Sequence, residues 1–486
     1  MVIEFINKLN GWLWGLPLLT FVLALGCFIM VSSKFFPFVH FGHAVKNTIL
    51  AKASELEEGK LSPYRAFCLS LGGAVGMVNI SGVATSIAIG GPGALFWMWV
   101  WAFFGMAVKM AEISLSVYYR RKNEDGQYSG STMDYMERGI KGELNMKFGG
   151  PLATLMAVCL LTMCVQGSGT YTIGETMQAS FGLNPMLVGI IYTLFVVYLI
   201  FRGESAIGKF AEKIVPVMCG IYLLGTVIIL GMNITTVPSV VVDIFSGAFT
   251  GTAAVGGFAG SAISTAIRQG VTRSMYSNEA GKGTAAMFHG SAETIHPIRQ
   301  GLWGAIDVFC DTIIVCTCTG FAILSTGVWT SGATGATLGV MAFTSAFGAF
   351  GKYYVGIMSV FFAFTTSTAF YVLYQNALKY ILRNHPKAQK IAYSAFRVIF
   401  PLTMVSTCAF IYFTGSNAGL FWTIVNIVVA PPAFLNAIAL FLLRKKFWAL
   451  LKDYKARYMG IGKVDPEFKV FAEDDPEVMA AINKNT

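Results

Sequence analysis

One stretch, Leu71 to Trp99 (LGGAVGMVNISGVATSIAIGGPGALFWMW), limits what this chain can become. It is apolar and long enough to cross a bilayer, yet it carries glycine at 72, 73, 76, 82, 90, 91 and 93. A helix in hydrocarbon must satisfy its own backbone groups, so breakable, glycine-dense backbone at membrane depth survives only where it is buried in protein or lines a polar cavity. The stretch therefore predicts a solute site. A second run, Gly247 to Gly260 (GAFTGTAAVGGFAG), repeats the pattern, and paired interrupted segments in two halves point to the midplane site of a secondary transporter.

Of the 486 residues, 55% are hydrophobic and 12% charged, too little charge for a soluble surface of that size. An apolar run from Gly15 to Val31 is followed by others near 66–90, 94–119, 151–179, 185–202, 207–231, 239–268, 298–325, 353–380, 395–414 and 417–443. At about 20 apolar residues per span this predicts about eleven transmembrane helices, an all-α polytopic membrane protein. Lys and Arg concentrate in 34–65, 120–149, 202–213, 268–299, 379–397 and the tail from Arg444, whereas the alternate connections hold almost none apart from Lys352. By the positive-inside rule the N-terminus lies outside and the C-terminus in the cytoplasm, as expected of a multi-pass protein of the cytoplasmic (inner) membrane.

Setting aside the N-terminal helix (1–33) and a cytoplasmic surface segment (34–65), ten spans remain. They divide into five-helix sets at 66–231 and 239–443, followed by a cytoplasmic tail, 444–486, read as a peripheral appendage. Each set opens with its glycine-broken span and the two enter from opposite sides, which predicts a 5+5 inverted repeat with two discontinuous helices.

The net charge of +10 is spread over short clusters between apolar runs, so it reads as an orientation signal and not as a nucleic-acid surface. The nine cysteines lack the paired spacing of zinc ligands. The five histidines fall in predicted loops, which leaves an embedded transferase, the rival reading, without a nucleophile, base or metal cluster; a channel is the other rival. No catalytic residue and no cofactor is expected.

The run Gly90 to Met106 (GGPGALFWMWVWAFFGM) resembles the sodium:alanine (alanine/glycine:cation) symporter family. So do Arg273 to Leu302 (RSMYSNEAGKGTAAMFHGSAETIHPIRQGL), similar to RGLFSNEAGxGSAPxAHAxA in relatives, and VFCDT at 308–312. The resemblance covers most of the chain except the tail and implies a leucine-transporter-type fold and sodium-coupled symport of a small neutral amino acid, alanine or glycine first. A proton-coupled or exchange-type carrier of another amino acid is the alternative. Substrate and sodium, the co-substrate, are the expected partners beside the lipid bilayer.

Departures from the family pattern bear on substrate identity. Met77 and Val78 stand in a motif that reads GTGNI in relatives. Gly167 to Glu175, including Thr170, replace GIGNMVQAN, and Phe370 stands where relatives carry Trp.

Freed N–H groups at an unwound half-helix can hold a carboxylate. The backbone of Gly76, Met77 and Val78 is the candidate for this, with Asn79 beside it. Gly256, Gly257, Phe258, Gly260 and Ser261 form the expected opposite wall, and Thr170 and Phe370 complete the candidate substrate contacts. By analogy with the fold, carbonyls of Gly72 and Val75 and hydroxyls of Thr365 and Thr366 form a sodium site; no other metal is expected.

Asp311 is either a second cation or proton site or a buried hydrogen-bonded carboxyl. Lys109 and Glu112, three apart on one helix face, predict an internal ion pair. Asp307 shares a face with Asp311, and Glu175 lies near the outer end of its span. The SNEAG segment, Ser277 to Gly281, is expected in an inner loop, as a hinge or gate with Arg268, Arg273 and Glu279 as its charges.

Overall fold

The structure is a computed structural model that describes residues 2–51, 61–122, 126–250, 259–414 and 418–485. Its regular structure is helical apart from one small antiparallel hairpin pairing Arg121–Lys122 with Tyr128–Ser129. In chain order the principal helices are α1 (Val2–Leu13), α2 (Leu16–Ser32), α3 (Pro63–Ala74), α4 (Ser81–Gly90), α5 (Gly93–Tyr118) and α6 (Gly149–Thr162). They continue with α7 (Ser168–Phe181), α8 (Pro185–Phe201), α9 (Glu204–Met232), α10 (Val237–Phe249), α11 (Ala259–Asn278) and α12 (Thr284–His289). The last are α13 (Pro297–Ser325), α14 (Gly335–Phe347), α15 (Ala349–Ile381), α16 (Pro386–Thr414), α17 (Ala418–Met459) and α18 (Pro476–Asn485).

Local sequence sets many of the starts. Pro63, Pro185 and Pro297 open α3, α8 and α13, where a missing N–H costs nothing. The preceding Ser62, Asn184 and His296 accept from the N–H groups of Arg65, Met186 and Ile298.

Seven described helices are long and apolar enough to span a membrane alone, and the bent pair α3–α4 makes an eighth. The remaining expected spans are built from shorter pieces. The third core span is interrupted between α6 and α7 by a 3-10 turn and by Gly167 in the left-handed region (φ 50°). The segment expected as one span over 239–268 contains two separate helices, α10 and part of α11, with residues 251–258 outside the described residues.

Two helix breaks face each other. Between α3 and α4 the chain bends by 47° through Val75 and Gly76, both in extended conformation. The second break lies between α11 and α12, where Glu279, Gly281 and Gly283 adopt φ of 61°, 91° and 77°. Helix α11 runs beside α4, with Gly90 against Ala266 and Gly82 against Arg273, and α12 runs beside α3, with Gly73 against Phe288. Helix α5 backs both halves. A Cβ on Gly270 would lie 2.4 Å from the Ala94 carbonyl oxygen, so glycine is what allows α11 to approach so closely.

The tail packs against the helical body. Helix α17 continues without interruption to Met459, where Asp453 meets Arg457 at 2.8 Å and His296 at 3.4 Å. Helix α18 then docks on the π-helical turn Tyr135–Glu143, with Asn485 donating to the Gly142 carbonyl at 2.9 Å.

Candidate functional site

At the first break, Asn79 replaces the missing helical bonds. Its Oδ1 accepts from the Gly76 N–H at 2.8 Å, and its Nδ2 donates to Asp311 Oδ1 at 2.7 Å. Asp311 lies on the π-helical turn Phe309–Cys316 of α13 and also accepts from Ser277 Oγ (2.8 Å to Oδ2) and Thr312 Oγ1 (2.8 Å). One fully buried carboxylate thus ties the first break to the end of α11. Desolvating a carboxylate is unfavourable unless charge-assisted hydrogen bonds replace water, and three donors do so here.

The second break is held by charges. Glu279 bridges Lys282 Nζ at 2.5 Å and the Thr284 hydroxyl. Lys109 donates to the Asn278 carbonyl at 2.8 Å and to Asp307 at 2.7 Å, and Asp307 also accepts from Ser70 of α3 at 2.6 Å. Glu112 accepts from the Gly283 N–H at 3.2 Å and from Asn436, whose amide also reaches the Gly281 carbonyl at 3.0 Å. Lys109 and Glu112 therefore do not form the ion pair expected from their spacing. Each takes a different partner at the second break, because the free backbone groups there compete successfully with a same-helix neighbour.

SNEAG runs from the end of α11 into the turn before α12. It is the second break, its backbone turned by residues of positive φ and its side chains buried. Gly260 and Ser261 lie in the first turn of α11, directly after residues 251–258. Gly256, Gly257 and Phe258 lie outside the described residues.

The cation candidates do converge. Thr366 Oγ1 lies 3.3 Å from the Gly72 carbonyl, and a Cβ on Gly76 would sit 2.0 Å from that same hydroxyl. Val75, with ψ 93°, ends α3 between them. Thr365 packs its Cβ against Gly72 while its hydroxyl donates within its own helix to Phe361 and Phe362 at 3.1 Å. Thr170, Thr366 and Phe370 line one cavity of about 20 Å3 together with Ser168 and Ser367, and the fully buried Thr170 hydroxyl has no partner among the described residues. A polar space of that size holds a water-sized group. Met77 and Val78 are buried, and Val78 packs against Gly82.

Glu175 caps α14. Its Oε1 accepts from the Ala336 N–H at 3.0 Å and its Oε2 from Ser81 of α4 at 3.3 Å. It borders an open cavity of about 730 Å3 that is also lined by Thr334, Thr337, Met341 and Lys352. At the opposite, Lys/Arg-rich end, a cavity of about 340 Å3 lies between Arg65, Glu204, Phe288 and Lys379.

This geometry, two opposed helix breaks flanked by a cavity at each end, agrees with comparison to known proteins. Residues 1–469 match the sodium:alanine symporter family. The chain belongs to that family. It is 33% identical over 447 residues to the sodium/alanine symporter AgcS of Methanococcus maripaludis, covering 91% of this chain and 94% of that one. It is 34% identical over 436 residues to the sodium/proton-dependent alanine carrier protein of Bacillus sp. PS3, covering 86% and 93%. The solved structure of MhsT in complex with L-phenylalanine aligns with a TM-score of 0.56 at 12% identity, over 88% of this chain and 96% of that one. This sodium:alanine symporter family member thus has the leucine-transporter-type fold of a membrane transporter.

Sequence reasoning named Ser277 and Asn278 only as part of a hinge or gate, and it missed the bonds of Ser277 and Thr312 to Asp311. A signal was present, since Gly281 and Gly283 stand three and five residues after Asn278, but the surrounding charges resembled a loop.

Proposed function

We propose that the protein is a sodium-coupled symporter of a small neutral amino acid, alanine or glycine first, working by alternating access in the cytoplasmic membrane. The observation that carries this reading is the pair of opposed breaks joined through Asp311. The substrate lies between them, against the backbone of Gly76, Met77 and Val78 and beside Asn79, with Thr170 and Phe370 as the side wall. Sodium sits among the carbonyls of Gly72 and Val75 and the hydroxyls of Thr365 and Thr366, and Asp311 is a second cation or proton site. Oxygen donors of this kind suit a hard cation. Sodium there steadies the unwound backbone that the amino acid needs, so each ligand raises the other's affinity.

The repeats 66–231 and 239–443 each supply one broken helix, and the basic connections place the C-terminus in the cytoplasm. Proteoliposomes given an inward sodium gradient are expected to accumulate labelled alanine. Uptake that ignores the sodium gradient but follows a proton gradient would transfer the reading to proton coupling; the name of the Bacillus PS3 relative includes both ions.

A further inference from the structure

The symport reading rests on the two repeats, 66–231 and 239–443, and gives the chain beyond Met459 no task. The family match itself ends at residue 469. That segment nevertheless returns to the helices. Gly460 and Gly462, at φ of 66° and 101°, turn the chain, and Arg457 Nη2 secures the turn by donating to the carbonyls of Asp465 at 2.9 Å and Phe468 at 3.3 Å. Phe471 then packs against Ile113 and Val117 of α5 and Ala285 of α12. Helix α18 buries Val478 and Ile482, and a Cβ on Gly142 would lie 2.9 Å from Ile482 Cγ1.

Arg120 joins this segment to the inner cavity, the one of about 340 Å3 at the Lys/Arg-rich end. Its guanidinium is 3% exposed and lies between two rings, 3.6 Å from that of Tyr128 and 4.3 Å from that of Phe471. Its Nη1 donates to the Ala292 carbonyl at 3.0 Å, and its Nε stands 3.8 Å from the Glu473 carboxylate. Tyr128 lines the cavity, as do Phe288 of α12 and Ser291, the neighbour of Ala292. From the cavity outward the order is therefore Tyr128, Arg120, Phe471.

The opposite wall is formed by α9 and α15, with Glu204 on the first and Val372 and Lys379 on the second. The Tyr128–Ala292 wall cannot swing away from it while the Arg120 stack is seated. The hold is nonetheless weak. The Glu473 pair is long and partly open to water, and such pairs contribute little, whereas the Lys109–Asp307 pair that anchors α5 to α13 is fully buried at 2.7 Å. Withdrawing the tail thus costs less than disturbing the helices on which it rests.

We propose that residues 471–485 are a clasp on the inner cavity. Seated, the clasp holds the Tyr128–Ala292 wall against α5 and opposes opening to the Lys/Arg-rich side. Withdrawn, it lets that wall move and shifts the population toward the inward-open form. This rests on the alternating-access reading and adds to it the segment that sets the balance between the two faces.

The test places a reporter cysteine in each cavity, in separate preparations of purified full-length protein. Labelling by a membrane-impermeant maleimide is read as the excess over the nine native cysteines. Val372→Cys reports the inner cavity from its far wall, and Met341→Cys the outer cavity of about 730 Å3. Phe471→Ala/Glu473→Gln unseats the clasp. It is expected to speed labelling at Val372→Cys on the order of tenfold, and to slow it at Met341→Cys or leave it as it is. Glu473→Gln alone keeps the Phe471 packing and is expected to give about a threefold increase at Val372→Cys. It carries the test if the double variant gives no cooperative melt.

The inference is overturned if labelling at Val372→Cys stays within about twofold of the intact tail. It is overturned equally if both reporters speed up together, which is what a merely structural loss would give. Sodium with alanine is expected to slow at least one reporter when the tail is intact. Reporters that ignore both ligands would sink the symport reading instead, with the response to the tail variants still judging the clasp.

Discussion

The two helix breaks perform the same local task by opposite means. At the first, the unwound backbone is satisfied by neutral groups: the Asn79 amide on Gly76 and the Thr366 hydroxyl beside the Gly72 carbonyl. At the second, it is satisfied by Lys109, Glu112 and Lys282, each buried and each engaged with a backbone group as well as a side chain or charge. Neutral contacts can be exchanged for ligand contacts at small cost, whereas removing one member of a buried ion pair leaves a charge stranded. The difference teaches that the first break is the adaptable half of the site and the second its fixed reference.

The sharpest way to break this contrast is Lys109→Met. It strands Asp307, and we expect a loss of about 3–5 kcal/mol in thermal unfolding, largely recovered in Lys109→Met/Asp307→Leu. If the single variant costs no more than changes at the first break, the contrast fails. Asn79→Ala removes the Gly76 cap and one donor to Asp311, with an expected loss of about 2 kcal/mol by the same measurement. Thr366→Val keeps the shape and removes the hydroxyl. It should raise the sodium concentration for half-maximal alanine uptake about tenfold, equivalent to about 1.4 kcal/mol, and change thermal stability little. The smallest effect is expected for Tyr276→Phe, which loses the 3.0 Å bond to Ser168 beside the cavity, about 1 kcal/mol in thermal stability.

Much of the fold is legible because hydrocarbon enforces one rule everywhere, and apolar runs with basic connections record it directly. The first break is legible for the same reason: Gly72, Gly73 and Gly76 interrupt a run that has no polar excuse to stop. Asn79 and Thr366 are expected beside it from the sequence, whereas the bond that brings Asp311 there is visible only in the structure. The second break is not, because Asn278, Glu279 and Lys282 resemble a solvated connection to any scale that scores residues one at a time. Their burial depends on partners from α5 and α17, and pairing between distant segments leaves no mark within a single window. Lys109 shows the same limit, since spacing identifies Glu112 as a neighbour but cannot see Asp307 on another helix. Glycine density at 247–260 is a local signal, while the orphaned Nη1 of the buried Arg273 shows only once its surroundings are assembled.

The π-helical turn at Phe309–Cys316 bears on how relatives are aligned. Such a turn holds one more residue than an α-helical one, so its presence or absence amounts to a single insertion inside a membrane span. Deleting one residue there would rotate everything beyond it by about 100°, which is enough to carry Cys316 and Thr319 off their present faces although no side chain had been changed. Alignments that forbid gaps inside helices would therefore pair the wrong residues along half of α13, and a one-residue gap in this span is a structural character to be read, not an error to be removed.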